Sequence, residues 1–569
     1  MNFLINLSLP LNKIPDITKN ITKQAQREAV CVEGKSLIVF RNNENDKAII
    51  ILGDPIWQKK AINIEDIENI LSNKKLHEIS GFYYLIYLNN KKKRISVYSS
   101  FLNVLPVYYA EKANRVIISS SFELVLRNSQ FSNKIDKQFL LEKLLFNYGF
   151  SNRTYLEDIK LLNTNHFLCF DSKLIQESYF DLTKATIPAY PIKGKSTKKY
   201  LKEYFIQRVS DYWPQEKFAI SLTGGFDGRT LSSLAHYHKK DFFTYSFGTS
   251  GASDVTIPMY LAKELSLEYV PILLNQRYVN GAFDYGKKFI EKTDGMGSFG
   301  RAHYIYAREI LKEKTKTLIS GNFGSELFRA MHNPGVMLSN ELISYFEYAD
   351  KDLWIGKLLK SSKLYSIHFD YKHEMEGLIH DLALYKKHNS QLSLNQLFYN
   401  YVLNEIFRKY FGPEIKSFMT DLTIRTPFLD FKFIKELFQT HYAGIHSKFR
   451  ERNPFKRIKG QLVYAELINA SWPEMGHFKT GKGYKPADLL SKMGKTRVGM
   501  NFIKKKFHSN TFDNDPMLVK QAFLQNNNNW QREMDKTYFK VAKADQEQNM
   551  HQKINTLSTG YYLRKLIET

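Results

Sequence analysis

Ser221-Leu222-Thr223-Gly224-Gly225-Phe226-Asp227-Gly228-Arg229-Thr230 closes an apolar run, Phe218 to Leu222, that has the look of a buried strand. A helical pattern follows from Arg229 to His238. A glycine-rich turn between strand and helix suits an anion. Glycines let the backbone approach it, and the helix N-terminus aims unpaired N–H groups at it. On its own, Gly224-Gly225 marks only a tight turn. Asp227 carries the reading further, because a carboxylate beside a polyphosphate repels it unless a cation lies between them. Asp227 is therefore a candidate Mg²⁺ ligand. The loop is neither GxxxxGK[ST] nor GxGxxG.

Outward from the loop, Phe242–Phe247 and Tyr269–Leu274 read as strands, with a helix over Val255–Leu265 between them. Thr317–Ser320 is a further strand before a second glycine turn. Strand–helix alternation predicts an α/β domain with a doubly wound parallel sheet and a ligand at the strand carboxyl ends. From about Asn340 the pattern is helical, and the polar run Asn526–Asn529 reads as a loop tip. Upstream, Ser36–Phe40, Ala48–Leu52, Gly81–Leu88, Arg94–Tyr98 and Arg115–Ser119 are short, β-branched or aromatic, and split by turn residues. They predict an antiparallel region. A Pro-, Lys- and Ser-containing linker is expected over Lys184–Lys199. The expected domains are 1–183, 200–500 and a helical C-terminal extension, 501–569.

Across 569 residues, 43% hydrophobic and 24% charged content describes a globular chain of more than one core. No apolar stretch is long enough to cross a bilayer. The start lacks a basic leader, so a cytoplasmic location is expected. Cys31 and Cys169, the only cysteines, exclude a disulfide scaffold and a CxxC pair, and Cys31 reads as a buried structural thiol. The net charge of +25 could serve a polyanionic partner. Its lysines are dispersed, with short runs only at Lys91–Arg94, read as a hairpin turn, and Lys504–Lys506. Solvated surface is the preferred reading, and nucleic acid ranks last among partners.

Three motifs carry a family resemblance. Thr223-Gly224-Gly225-Phe226-Asp227-Gly228 resembles the S-G-G-x-D-S pyrophosphate motif of the N-type ATP pyrophosphatases, with Gly228 in place of the final serine. Ser320-Gly321-Asn322-Phe323-Gly324-Ser325-Glu326-Leu327-Phe328-Arg329 resembles S-G-E-G-x-D-E-L-F-G, the second signature of the asparagine-synthase family. Arg425-Thr426-Pro427-Phe428-Leu429-Asp430 is similar to its R-x-P-F-L-D segment. Upstream, Gly81-Phe82-Tyr83 through Pro106-Val107-Tyr108-Tyr109, and Ile118 to Glu123, follow the layout of that family's glutaminase-type domain.

The resemblance implies an Ntn-hydrolase-like αββα sandwich followed by the ATP-pyrophosphatase domain with helical additions. It also implies Mg·ATP held by Leu222, Thr223, Gly224, Gly225, Asp227, Gly228, Phe247, Gly248 and Gly321. Metal ligation falls to Asp227, Glu326 and Ser325. A charge-neutralising lysine falls to Lys482, with Lys479 second, in Lys479-Thr480-Gly481-Lys482-Gly483-Tyr484, and Glu326 joins the catalytic set. Asp294 would line the acyl-substrate pocket or cap a helix.

The departures matter as much. The position after the initiator methionine, cysteine in a working glutaminase, is Asn2, and an amide is no nucleophile. The segment Tyr98–Asn103 lacks the family's arginine. Ser325 stands where the second signature has its aspartate, and Asn322 cannot accept a proton. The chain resembles members without that cysteine, such as β-lactam synthetases and lasso-peptide cyclases. The expected function is ATP-dependent activation of a carboxylate as an acyl-adenylate, followed by attack of an amine. The substrates would be a small molecule or peptide bearing both groups, and a homodimer is the oligomer to consider. The alternatives are an impaired nucleotide-binding pseudoenzyme or scaffold and, third, an RNA-modifying ATP pyrophosphatase.

Overall fold

A computed structural model describes residues 1–11, 13–18, 28–34, 36–57, 62–128, 134–183, 187, 191, 195–329, 337–365, 367–451, 453–507, 517–539 and 550–568. The chain is mixed α/β. Its first part contains strands β1 (Asn2–Ser8), β2 (Ile17–Thr18), β3 (Ala29–Glu33), β4 (Leu37–Arg41), β5 (Lys47–Ile56) and β6 (Ser80–Asn89). It continues with β7 (Arg94–Ser99), β8 (Tyr108–Lys112), β9 (Arg115–Ser119), β10 (Lys160–Leu161), β11 (His166–Phe170) and β12 (Leu174–Ser178). Two six-stranded sheets result, in the orders β10-β8-β9-β1-β3-β2 and β12-β11-β7-β6-β5-β4.

Strand periodicity explains the layers. Along β5 and β6, Ile49, Ile51, Tyr83 and Leu85 pack outward with Ile64 and Ile67 of the helix Ile64–Ser72. Their neighbours Ile50, Leu52, Tyr84 and Ile86 face inward. There Phe3 of β1 meets Tyr84 edge-on at 5.1 Å, joining the two sheets. Phe122 and Val125 of the helix Phe122–Asn128 close the far side, with Phe122 against Tyr108 at 5.7 Å. This is the expected helix–sheet–sheet–helix sandwich. Strands buried on both faces read as continuous apolar runs, as β5 and β6 do. Lys91–Arg94 forms the β6–β7 turn and the start of β7.

The second part is built on a five-stranded parallel sheet of β13 (Phe218–Ser221), β14 (Phe242–Gly248), β15 (Tyr269–Leu273), β16 (Thr317–Ile319) and β17 (Thr423–Arg425). The order is β15-β14-β13-β16-β17. The chain steps from β13 to β14 on one side and returns to β16 on the other. The carboxyl ends of β13 and β16 therefore flank a topological switch point, where open α/β sheets bind ligands.

Most of the expected linker, 184–199, lies outside the described residues, and a helix already begins at Lys195 (Lys195–Val209). The proposed 500/501 division falls inside the helix Lys492–Phe507, which also carries Lys504–Lys506. Asn526–Asn529 is not a loop tip. It sits in the helix Val519–Glu533, where the Asn526 amide donates to the carbonyl oxygens of Val279 (3.2 Å) and Ala522 (2.9 Å). Burial of Phe523 and Trp530 on that helix overrides the weak helix propensity of asparagine. Trp530 packs on Phe299 (4.7 Å) and Phe283 (4.9 Å), so the C-terminal segment is part of the core.

Candidate functional site

The Thr223–Gly228 turn leaves β13, the middle strand, and opens the helix Asp227–Tyr237. Strand pairing places the turn after β16, residues 320–324, beside it. The approach is close enough to require glycine: a β-carbon on Gly321 would lie 2.7 Å from Asp227 Cβ, and one on Gly324 2.7 Å from Asp227 Oδ1. Asp227 is thus held between the two motifs. Its Oδ2 accepts a hydrogen bond from Ser325 Oγ (2.6 Å), and its Oδ1 accepts one from the Tyr464 hydroxyl. Tyr464 lies on the helix Lys459–Ser471. Burial, then the Asp227 charge, pushes its phenol well above its ordinary value, so it is a neutral donor.

Glu326 lies in the middle of the short helix Gly324–Phe328. Burial first, and the Asp227 charge second, push its carboxyl up to about 7. Two like charges that repel across a part-buried space suit a shared cation. A carboxylate has lone pairs beyond those taken by two hydroxyl donors. Asp227 and Glu326 are the carboxylates here that could hold a divalent ion. Among the described residues no cluster of three or more His, Cys, Asp or Glu side chains forms a fuller site. Ser325 is tied to Asp227 as a hydrogen-bond donor. Behind the second turn, Asn322 Nδ2 donates to Glu414 Oε1 (2.9 Å), whose other oxygen accepts from Arg301 (2.8 Å).

Protein groups already occupy part of the loop. Gly224 N–H donates to Asp254 Oδ1 (3.1 Å), and Gly225 N–H reaches Thr223 Oγ (3.3 Å). The Lys479–Tyr484 turn docks on the same edge, with Gly481 N–H on the Gly224 carbonyl (2.9 Å). Arg229, fully buried, pins that turn through the carbonyl oxygens of Phe478 (2.8 Å) and Lys479 (2.6 Å). Both candidate lysines thus ride on a segment fastened to the nucleotide loop; Lys479 is exposed and Lys482 half-buried. Phe247 at the end of β14 packs on His303 (5.1 Å) and Tyr304 (5.7 Å), while the Gly248 carbonyl accepts from Leu274 N–H (2.9 Å). Leu222 is buried, its N–H on the Tyr245 carbonyl (2.8 Å).

Asp294 is elsewhere. It follows the helix Gln276–Lys292, pairs with Lys416 and accepts from Ser121 Oγ (3.2 Å). Its cavity, about 280 Å³, is also lined by Met1, Asn2 and Tyr84 and by none of Thr223–Gly228. Asn2, at the start of β1, accepts from Ser120 Oγ (3.3 Å) through its amide oxygen. Burial holds the Met1 amine below its ordinary 8.0. Cys31 is buried in β3, and Thr18 Oγ donates to its sulfur (3.2 Å). Asp254, Tyr464, Glu414 and Arg229 escaped the sequence reading, because each acts on the motifs through contacts formed only by folding.

Residues 68–180 match the glutamine amidotransferase domain family. A domain of that kind fits the asparagine-synthase-like class. No curated protein matches the chain. A glutamine phosphoribosylpyrophosphate amidotransferase from B. subtilis, solved with ADP and GMP, is similar at 9% identity and a TM-score of 0.17, over 43% of this chain and 50% of that one. A structure described as the allosteric regulatory enzyme of purine biosynthesis is similar at 8% identity and a TM-score of 0.17, over 41% of this chain and 46% of that one. The matches thus span about half the length of those structures. Among the described residues no helix is long and apolar enough to cross a membrane.

Proposed function

We propose that the chain is an ATP-dependent amide-bond-forming ligase of the asparagine-synthase-like kind that does not hydrolyse glutamine. The carrying observation is the convergence of Asp227, Glu326 and the Lys479–Tyr484 turn at the carboxyl ends of β13 and β16. Thr223 to Gly228 would receive the polyphosphate, with the nucleotide base toward Phe247, Gly248 and Gly321. Asp227 and Glu326 would hold the Mg²⁺, which supplies charge neutralisation. The substrate carboxylate attacks the α-phosphorus, the bridging P–O bond breaks, and pyrophosphate leaves. An amine then attacks the acyl carbon, losing a proton, and amide and AMP result. The chain's part is positioning and screening two anions that must meet, and Lys482 or Lys479 would contribute positive charge. Asn2 provides no nucleophile for releasing ammonia, so the amine must arrive on a substrate.

Calorimetry of Mg·ATP with the wild type and Asp227→Asn tests this reading. Metal-dependent binding weakened at least about tenfold in the variant is expected, the loss of one charge-assisted contact. Equal binding in both proteins removes Asp227 from the site and sinks the assignment.

A second reading, a nucleotide-binding pseudoenzyme, is favoured by one observation. Asp254 takes the Gly224 N–H, and Tyr464 with Ser325 takes Asp227, so groups a nucleotide and cation would use are engaged by protein. ATP binding with no pyrophosphate release across a panel of amino and carboxylic acids would decide for it.

A further inference from the structure

Lys143 is 2% exposed on the helix Lys137–Phe146, yet among the described residues it has no carboxylate in contact. Among the described residues its ammonium has a single acceptor, the Met296 carbonyl at 3.4 Å. Burial alone acts on it, drawing its pKa down to about 7. Isolated buried cations are costly, and a neighbouring counter-charge is the ordinary remedy. The other buried cations nearby already have one: Lys409 pairs with Glu405, and Arg301 with Glu414 at 2.8 Å.

Lys143 borders a cavity of about 90 Å³ whose lining includes Met296, Gly297, Ser298, Gly300 and His551 and, among the described residues, no carboxylate. The cavity lies at a junction. Lys143 comes from the antiparallel part, residues 296–301 from the turn after the helix Gln276–Lys292, and Ile554 and Asn555 from the C-terminal helix Met550–Glu568. Asn555 Nδ2 donates to the Lys143 carbonyl (2.7 Å), fastening that helix to the site.

We propose that this cavity binds a small oxyanion, a carboxylate or a phosphate, through the Lys143 ammonium. Water could occupy the space and accept hydrogen bonds, but it carries no charge to offset the ammonium. An anion does both. The occupant would tie the C-terminal helix to both other parts of the chain. The inference is independent of the ligase reading, since no residue of the nucleotide loop lines the cavity.

The test is thermal unfolding of the full chain at constant ionic strength in chloride, acetate or inorganic phosphate, for the wild type and Lys143→Met. A saturable rise in wild-type Tm is expected with acetate, phosphate or both; which salt acts distinguishes a carboxylate site from a phosphate site. In Lys143→Met the apparent Kd should weaken at least about tenfold, as expected for loss of a charge-assisted hydrogen bond. No rise with either anion overturns the proposal. So does an equal rise in the variant, which would place the anion elsewhere, for example at the Thr223–Gly228 loop. Should the variant not fold, acetic anhydride labelling of the wild type, read by peptide mass spectrometry, decides. Slower acetylation of Lys143 in phosphate or acetate supports the site, and unchanged labelling overturns it.

Discussion

Gly228 shows what a single residue decides. It stands where the related motif has serine, but a β-carbon at this position would run into the Ser221 carbonyl oxygen, with Leu222 Cα at 3.0 Å. Gly228→Ser is therefore expected to destabilise the chain by roughly 1–3 kcal/mol, as overpacking does, rather than restore a phosphate contact. Urea titration reads this as a lower midpoint, and an unchanged midpoint with tighter ATP binding would contradict it. His303 makes a pH prediction. Buried beside Arg301 and tilted against Phe247 at 5.1 Å, its imidazole is held down to about 3, by desolvation first and the Arg301 charge second. The unfolded chain protonates this histidine near 6.5, whereas the folded chain does not until about 3. Below 6.5 the unfolded state binds the extra proton, so stability falls as pH falls, by about 1.4 kcal/mol per pH unit from this group, and is unaffected above that range. Replacement by Phe should flatten the slope of stability against pH between 6 and 4, measured by urea midpoints at each pH.

At the scale of elements, the Lys479–Tyr484 turn has no regular structure of its own and depends on Arg229 from the helix Asp227–Tyr237. Burial draws that guanidinium down to about 10, and its bonds to two carbonyl oxygens are what hold it in place. Arg229→Met should cost about 1.5–3 kcal/mol for hydrogen bonds to a charged group. The same change should release the turn, making the bond after Lys479 or Lys482 the first cut in limited trypsin digestion. A digestion pattern identical to wild type would mean that the Gly481–Gly224 bond suffices. Phe323 illustrates a compensation between backbone and core. It holds φ 71°, a glycine-like angle, at the position where the related signature has glycine, and its ring is buried against Phe407 (5.1 Å) and Phe411 (4.3 Å).

At the scale of the molecule, the sandwich and the parallel-sheet part are bolted together by buried polar groups. Asp430, 0% exposed, accepts from Ser80 Oγ (3.0 Å) across the junction, from Tyr212 (3.1 Å), and from Arg208 at 2.6 and 3.3 Å. Arg425 reaches Asp54 of β5 with two bonds, at 2.6 and 3.0 Å. Removing one partner strands the others, so Asp430→Ala is expected to cost about 3–5 kcal/mol. Calorimetry would show this as a lower Tm for the whole chain. If the junction is the weak point, the single transition divides into two.

Much of this was legible in the residues themselves. The β-branched run Ala48–Leu52 between turn residues pointed to an antiparallel region, and the strand–helix alternation with the glycines after Phe218–Ser221 pointed to the parallel sheet and its loop, because propensity and turn chemistry are local properties; the sandwich itself followed only from the family resemblance. The helix through Asn526–Asn529 was not legible, since burial of Trp530 rather than local propensity settles it. Likewise, the sequence by itself determined that Asp227 and the Ser320–Glu326 turn belong to strand ends and that Asn2 cannot act as a nucleophile. Only the tertiary structure decided that Tyr464, 237 positions along the chain, donates to Asp227. It also decided that Asp254 caps Gly224, that Asp294 faces Asn2 rather than the nucleotide loop, and that Lys143 is buried with no counter-ion among the described residues. Those are matters of which distant surfaces meet, and hydrophobic packing of the whole core, not any short pattern, brings them together.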